Sequence, residues 1–419
     1  MMTTFRKFLV SILATLCMAS VSAKHTTVVV SLDGFRWDYT QWYHTPFLDF
    51  MAEHGVESAL IPSFPSKTFP NHYTLATGLY PDHHGIVANE FYNPQTGDSF
   101  ALSVPWQKKN ATFYHGEPIW NTAHRQRKRV AVLYWPGSDV RINGRYPDKY
   151  LDYDQKPRLS MSARLNGVLQ ELRRDEATRP DLVMAYLEQP DANGHNFGPQ
   201  SKKTQAAVTT VDSLLRQLHE GIRLLPHADD INLIVLSDHG MTWVPENHAV
   251  NVRRVLKPEW VDKISGSIPC NIYAKNGFVD SVYHVLRHMD HVKVWRKRNI
   301  PDYLHYGTND CVGDVVVCPD PGYVVYDGDI KDGGTHGYDP TLMDMHAVFR
   351  AMGPDFKHIT LPHFENVNVY ELLCALLGID PAPNDGNIDN VKAMLRLPMN
   401  NCLTATAIVV DGGFNILDM

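Results

Sequence analysis

The sequence predicts an α/β protein built on a doubly wound, mostly parallel sheet with helices on both faces. Three observations predict it. First, "HTTVVVSLDG", "DLVMAYLEQPDANGH" and "INLIVLSDHG" each hold a near-continuous apolar run. Strands rich in Val, Ile and Leu without alternation suit a parallel sheet covered on both faces. Second, amphipathic stretches lie between them, "SARLNGVLQELRR" (162–174) and "TQAAVTTVDSLLRQLHEGIRLL" (204–225), and strand alternating with helix is the doubly wound pattern. Third, each run leads at once into acids or histidines: Asp33, then Asp191 and His195, then Asp238 and His239. In such sheets ligands bind outside the carboxyl ends of the strands. A single Asp there reads as a turn; three in register, two with a histidine, read as a site.

Residues 242–330 break the pattern. Two modest apolar runs, "VYHVLRHM" and "DVVVC", stand among Pro, Gly and charged loops and predict a smaller inserted lobe. A second insertion is expected over 93–117, and "FENVNVYELLCALLGI" reads as a returning helix that closes the main domain. The main domain is therefore expected to comprise 24–241 and 331–400, with a tail over 401–419.

The first 23 residues read as a secretory signal peptide: Arg6 and Lys7, an apolar run too short to span a membrane, and "VSA" ending at Ala23. A secreted or periplasmic chain starting at Lys24, without a membrane span, follows. Five cysteines then remain, an odd number, and Cys311 with Cys318 and Cys374 with Cys402 are the first pairs expected. No CxxC occurs, which argues against a cysteine zinc finger. A formal charge of -7 argues against a dedicated nucleic-acid or anionic-membrane binder. An anionic small-molecule substrate remains compatible, because a local metal cluster outweighs distant surface charge.

The stretch "PSFPSKTFPNHYTLATG" surrounds Thr68 with prolines. Pro70 can open a helix, which places Thr68 at a helix start, as a cap or beside a bound anion. "DANGH" is expected to be a loop bringing Asp191 and His195 onto one ion, "SDHG" supplies Asp238 and His239, and "GGTHGYDP" supplies His336. With Asp33 these make three carboxylates and three imidazoles, a set that suits borderline divalent ions, zinc first. Six ligands exceed one tetrahedral site and fit two sites sharing a substrate. Two ions roughly 4 Å apart are a recurring clamp for displacement at phosphorus. A threonine hydroxyl beside such a pair is an activated nucleophile rather than a cap.

The motifs "VVVSLDGFRWDY", "PSKTFPNHYTLATGLYPDHHGI", "YWPGSDV", "YLEQPDANGHNFGP", "LSDHGM", "THGYDP", "MHAVFRAMGPDFK" and "PAPNDGN" occur in this order over nearly the whole mature chain. In them the sequence resembles the nucleotide pyrophosphatase/phosphodiesterase family of the alkaline-phosphatase superfamily. The resemblance implies two Zn²⁺ per chain. It implies Asp33, Thr68, Asp238 and His239 as ligands of the ion that activates the threonine, and Asp191, His195 and His336 as the other site. It implies that Asn89, in "GIVANEFY", donates to a phosphate oxygen, helped by the N–H of Thr68 or its neighbour. Phe69 and Tyr153 match the two aromatics that sandwich a nucleobase; without the resemblance both read as structural. His72, His83 and His84 are left outside the site, and Lys67 is expected to point away from it. The implied activity is cleavage of nucleotide phosphodiester and pyrophosphate bonds through a phospho-threonine, as in ATP to AMP and pyrophosphate. A phosphomonoesterase, a phospholipid head-group phosphodiesterase and a secreted binding module that kept the fold are the alternatives.

Overall fold

The computed structural model describes residues 25–396. The expected signal peptide, the tail, Cys17 and Cys402 lie outside the described residues. In chain order the elements that matter here are β1 (Thr26–Leu32), α1 (Pro46–His54), β2 (Val56–Ile61), α2 (Thr68–Thr77), β3 (Val130–Leu133) and β4 (Lys149–Leu151). There follow α3 (Met161–Leu172), β5 (Leu182–Leu187), α4 (Asp191–Phe197), α5 (Lys202–Arg223) and β6 (Ile231–Leu236). The smaller sheet holds β7 (Val261–Ser265), β8 (Cys270–Ala274), β9 (Val292–Arg296) and β10 (Val315–Pro319), with α6 (Val279–Leu286) between its second and third strands. The chain then returns through β11 (Ala347–Met352), β12 (Ile359–Thr360), β13 (Phe364–Glu365) and α7 (Asn368–Leu377).

The main sheet has nine strands in the order β12-β2-β11-β6-β1-β5-β3-β4, with β13 also on β2. β6, β1, β5, β3 and β4 are mutually parallel, and only β11 runs against its neighbours β2 and β6. Every residue of β1, β5 and β6 is buried, as the unbroken apolar runs require. Successive side chains alternate between two cores. Val29 packs with Leu75, Ala76, Val369 and Leu373 of α2 and α7, whereas Val28 and Val30 pack with residues of α1, α3 and α5. Helices on both faces follow from that alternation.

In α5 the apolar positions Val208, Val211, Leu215, Leu218 and Ile222 recur at helical spacing and are all buried. The Ser201 hydroxyl accepts the Thr204 N–H at 3.1 Å and fixes the start of the helix. The segment 242–330 forms the separate antiparallel sheet β7-β8-β10-β9 with its own apolar cluster, including Ile272, Val282, Leu286, Val315 and Val317. At its two ends Thr242–Val244 pairs with Gly333–Thr335, so the chain leaves and rejoins the main body at one place.

Two expectations change. Cys311 and Cys318 are buried, free thiols; Cys311 lies in a turn, and the extended β10 carries Cys318 away from it. Asp191–Phe197 is a helix, not a loop. Gly194 permits it: a side chain there would meet the Met241 methyl at 2.9 Å. At the pole of the sheet beyond the carboxyl end of β11, His25 Nδ1 lies 2.8 Å from Asp355 Oδ1, and the Arg396 N–H donates to the Asp355 carbonyl at 2.7 Å.

Candidate active site

The parallel strands deliver the acids to one rim. Leu32 is level with Leu187 and Ser31 with Leu236, so Asp33 and Asp238 emerge from neighbouring strands at the same end. The Asp33 N–H donates to Leu187 O and the Asp191 N–H to Asp33 O, both at 2.9 Å, which draws the start of α4 onto the end of β1. Gly34 makes that approach possible. Its φ is +66°, and a Cβ there would lie 2.8 Å from the Asp191 Cβ. The strand Gly333–Thr335 brings in His336, and α2 begins at Thr68.

Thr68 is the first helical residue, after the N-cap Lys67; Pro70 stands two positions later, still within the first turn, where its missing N–H leaves no carbonyl unpaired. The Thr68 hydroxyl does not cap the helix. Its Oγ1 lies 3.2 Å from His239 Nε2. That nitrogen is 3.0 Å from Asp238 Oδ2 and 3.4 Å from Asp33 Oδ1. The second group stands beside it: Asp191 Oδ1 is 3.3 Å from His195 Nε2 and 3.6 Å from His336 Nε2, and the two Nε2 atoms are 3.1 Å apart. The His239 and His336 rings stack with centroids 3.5 Å apart, joining the groups. All seven residues expected around the ions therefore converge.

The tautomers are fixed by their partners. Nδ1 of His195, His239 and His336 faces the carbonyls of Gly334, Gly240 and Ser66 at 2.8, 2.9 and 2.7 Å. A carbonyl only accepts, so each Nδ1 carries the proton, and in the neutral rings each Nε2 presents a lone pair. Those lone pairs point at one another and at Asp33 Oδ1, Asp191 Oδ1 and Asp238 Oδ2, buried oxygens that no donor reaches. Buried acceptors facing acceptors are costly unless a proton or a cation lies between them. The donor set thus fits divalent ions, and its mixture of carboxylate and imidazole suits a borderline one.

Burial and neighbouring charges act strongly on the titratable groups of both clusters. Burial, Asp238 and Asp191 push the Asp33 carboxyl well above its ordinary range. Burial opposes ionisation of Asp238 too, yet His239 and His72 hold that carboxylate well below its ordinary range. Burial lowers His239, and Asp238 more than reverses this, so its pKa is raised. His336 is pushed well below the ordinary histidine value by burial, then by His239 and Lys67.

Asn89 Oδ1 accepts the Phe69 N–H at 3.0 Å, which turns the Asn89 amide nitrogen free for another partner. The Phe69 N–H is thereby occupied and is not available to a phosphate oxygen. Phe69 and Tyr153 meet, but edge to face, with centroids 5.2 Å apart and planes at 85°. Phe69 also packs on Phe100 in the core, as its structural reading foresaw. Lys108 Nζ lies 4.7 Å from the Tyr153 centroid and 5.7 Å from that of Phe69.

Three residues stand at the site that sequence reasoning passed over. Tyr186 donates its hydroxyl to Asp33 Oδ2 at 2.5 Å. His72 Nδ1 lies 2.9 Å from Thr68 O and 3.3 Å from Asp238 Oδ2, with Ser31 Oγ 2.8 Å from its Nε2. Lys67 does not point away: its side chain lies over Gly337, and the charges of Lys67 and Asp191 act on one another. Position after a strand end signals Asp33; nothing comparable in the local sequence signals these three. His84 is elsewhere, its Nε2 3.1 Å from Pro70 O, and His83 pairs with Asp385 at 2.7 Å.

The family model for type I phosphodiesterase/nucleotide pyrophosphatase matches residues 27–339. Ectonucleotide pyrophosphatase/phosphodiesterase family member 5 of Homo sapiens is 32% identical over 392 residues, covering 92% of this chain and 81% of that protein. Family member 3 of Bos taurus and the venom phosphodiesterase of Macrovipera lebetinus are each 34% identical, over 88% and 89% of this chain, but the chain spans only 44% and 46% of their lengths. Among solved structures, an inactive threonine-to-alanine variant of murine ectonucleotide pyrophosphatase/phosphodiesterase 5 in complex with AMP superposes with a TM-score of 0.84. It is 34% identical and covers 88% of this chain and 100% of that one. The chain belongs to the nucleotide pyrophosphatase/phosphodiesterase family of enzymes, within the alkaline-phosphatase superfamily.

Proposed function

We propose that this chain is a secreted, zinc-dependent hydrolase of phosphodiester and pyrophosphate bonds in nucleotides, acting through a phospho-threonine at Thr68. The observation that carries the reading is the Thr68 hydroxyl, 3.2 Å from His239 Nε2 and beside paired clusters of orphaned carboxylate oxygens. Asp33, Asp238, His239 and Thr68 would hold one ion, and Asp191, His195 and His336 a second. Bound there, the ions would supply Lewis-acid charge that lowers the Thr68 pKa and neutralises phosphoryl oxygens.

Thr68 Oγ1 then forms the bond to phosphorus while the opposite P–O bond breaks in line. Asn89, tethered by the Phe69 N–H, offers its amide to a non-bridging oxygen. The base lies against Phe69 and Tyr153. Water cleaves the phospho-threonine and returns Thr68 to its starting state. The AMP bound by the murine relative supports the nucleotide substrate class, and the ectoenzyme and venom names of the relatives support export. Lys67 favours a second reading, a phosphomonoesterase, because such enzymes need extra positive charge for the additional anionic oxygens.

Initial rates on p-nitrophenyl thymidine 5'-monophosphate and p-nitrophenyl phosphate, each with and without a zinc chelator, test both. A chelator-sensitive preference for the diester is expected. Preference for the monoester replaces the first reading with the second, and chelator-resistant diesterase activity overturns the metal requirement.

A further inference from the structure

Tyr186 touches three parts of the site at once. Its hydroxyl holds Asp33 Oδ2 at 2.5 Å and so turns the undonated Oδ1 toward the ion position. Its ring meets His72 edge-on, with centroids 5.2 Å apart, and His72 Nδ1 lies 2.9 Å from Thr68 O and 3.3 Å from Asp238 Oδ2. Its ring also lies against Tyr153, with centroids 5.6 Å apart and planes tilted by 43°. Tyr186 is itself only 2% exposed, leaving it little room to move independently.

The aromatic pocket is closed in this structure. Phe69 and Tyr153 are in edge-to-face contact, and a planar base between two parallel rings needs their planes about 7 Å apart, two aromatic stacking distances. Phe69 is 1% exposed and fixed at the start of α2. Tyr153 is half-buried, with Lys108 and Arg158 as its charged neighbours, Arg158 Cζ standing 5.4 Å from its ring centroid. The ring that yields to a base is therefore Tyr153, and Tyr186 is packed against it.

We propose that Tyr186 is a positioning residue that couples occupancy of the aromatic pocket to the Asp33 carboxylate, so that base binding and ion binding reinforce one another. The inference rests on the functional reading above for the identities of base and ion. By linkage the coupling is reciprocal: a nucleoside without phosphate must tighten zinc binding by the factor by which zinc tightens the nucleoside. Selectivity for nucleotides then arises partly at the ion site, and not only from stacking.

Zinc affinity of the full-length protein is measured by chelator competition, with and without saturating thymidine, in wild type and Tyr186→Phe. Wild type is expected to bind zinc several-fold tighter with thymidine. Tyr186→Phe should bind zinc about tenfold to a hundredfold more weakly, the usual effect of removing an outer partner of a metal ligand, and thymidine should no longer matter. At saturating zinc the variant should lose kcat on p-nitrophenyl thymidine 5'-monophosphate and on bis(p-nitrophenyl) phosphate alike. Unchanged zinc affinity in Tyr186→Phe, or a thymidine effect that survives in it, overturns the proposal. If the variant does not fold, wild type decides alone, since absence of a thymidine effect there also overturns it. Neither binding arm needs turnover, so a chain inactive on diesters that shows both effects would defeat the functional reading and leave the coupling standing.

Discussion

Thr68 and Asn89 lie on the two sides of one short network, and their replacement should separate chemistry from metal binding. Thr68→Ala removes the oxygen proposed to attack but leaves six of the seven converging residues proposed as ligands. Turnover of the diester should vanish while zinc content, measured by elemental analysis, stays near that of wild type. Asn89→Ala should lower kcat by about 10²–10³, the usual cost of one donor to a developing oxyanion, with zinc again retained; loss of zinc in either variant would show that the ligand set has been misread. At this scale the sequence revealed the acids and histidines because each follows an apolar run or sits in a glycine-rich turn. Tyr186 was not legible, since it sits inside the run "LVMAYL" like any core residue and takes its meaning from Asp33, 153 positions away. His72 was left outside the site, and its hydrogen bonds go to Thr68 O and Ser31 Oγ, but its Nδ1 also stands 3.3 Å from Asp238 Oδ2.

Among the elements, the site depends on how closely α4 approaches the end of β1. Gly34→Ala would place a methyl in the left-handed region, at a cost of roughly 1–2 kcal/mol, and against the Asp191 side chain. Zinc affinity should fall together with stability, and a variant that loses stability without losing zinc would refute this account. Helix α5, by contrast, acts through its buried stripe. Leu215 is 0% exposed, so Leu215→Ala should cost about 2–5 kcal/mol in urea unfolding. Arg216→Ala, which removes only the exposed 3.1 Å pair with Glu220, should stay within about 0.5 kcal/mol. The periodicity of α5 and the unbroken runs of β1, β5 and β6 made these elements readable. The helix at Asp191–Phe197 was not, because proline and glycine signal a loop locally, and only packing against Met241 shows why Gly194 is tolerated there. β11 escaped notice for a similar reason: no local feature tells that it runs against the other strands.

For the whole molecule, two buried histidines away from the site, His84 and His346, contribute to the loss of stability in acid. His84 Nε2 faces Pro70 O while its Nδ1 accepts the Ile86 N–H, and His346 Nε2 faces Pro340 O while its Nδ1 faces His363. Both nitrogens of each ring are thus committed in the neutral form. Burial pushes His84 down to about 3 and His346 down to about 4, from an ordinary 6.5. The unfolded chain therefore takes up these protons first. The contribution is fully present above the ordinary value and is lost as pH falls toward the folded ones, at about 1.4 kcal/mol per pH unit for each ring. Urea midpoints at pH 7, 6 and 5 should fall accordingly, and replacing His84 by Gln should flatten the slope; a midpoint independent of pH over that range would rule the account out.

The meeting of His25 and Arg396 on Asp355 has a further meaning. That point lies past the carboxyl end of the one reversed strand, which is the pole opposite the rim where the acids emerge. A linker of a few residues between positions 25 and 396 should therefore close the described chain into a ring without disturbing the site. A surface or bead grafted at either position holds the protein by its base, with the rim where the acids emerge facing away from the support.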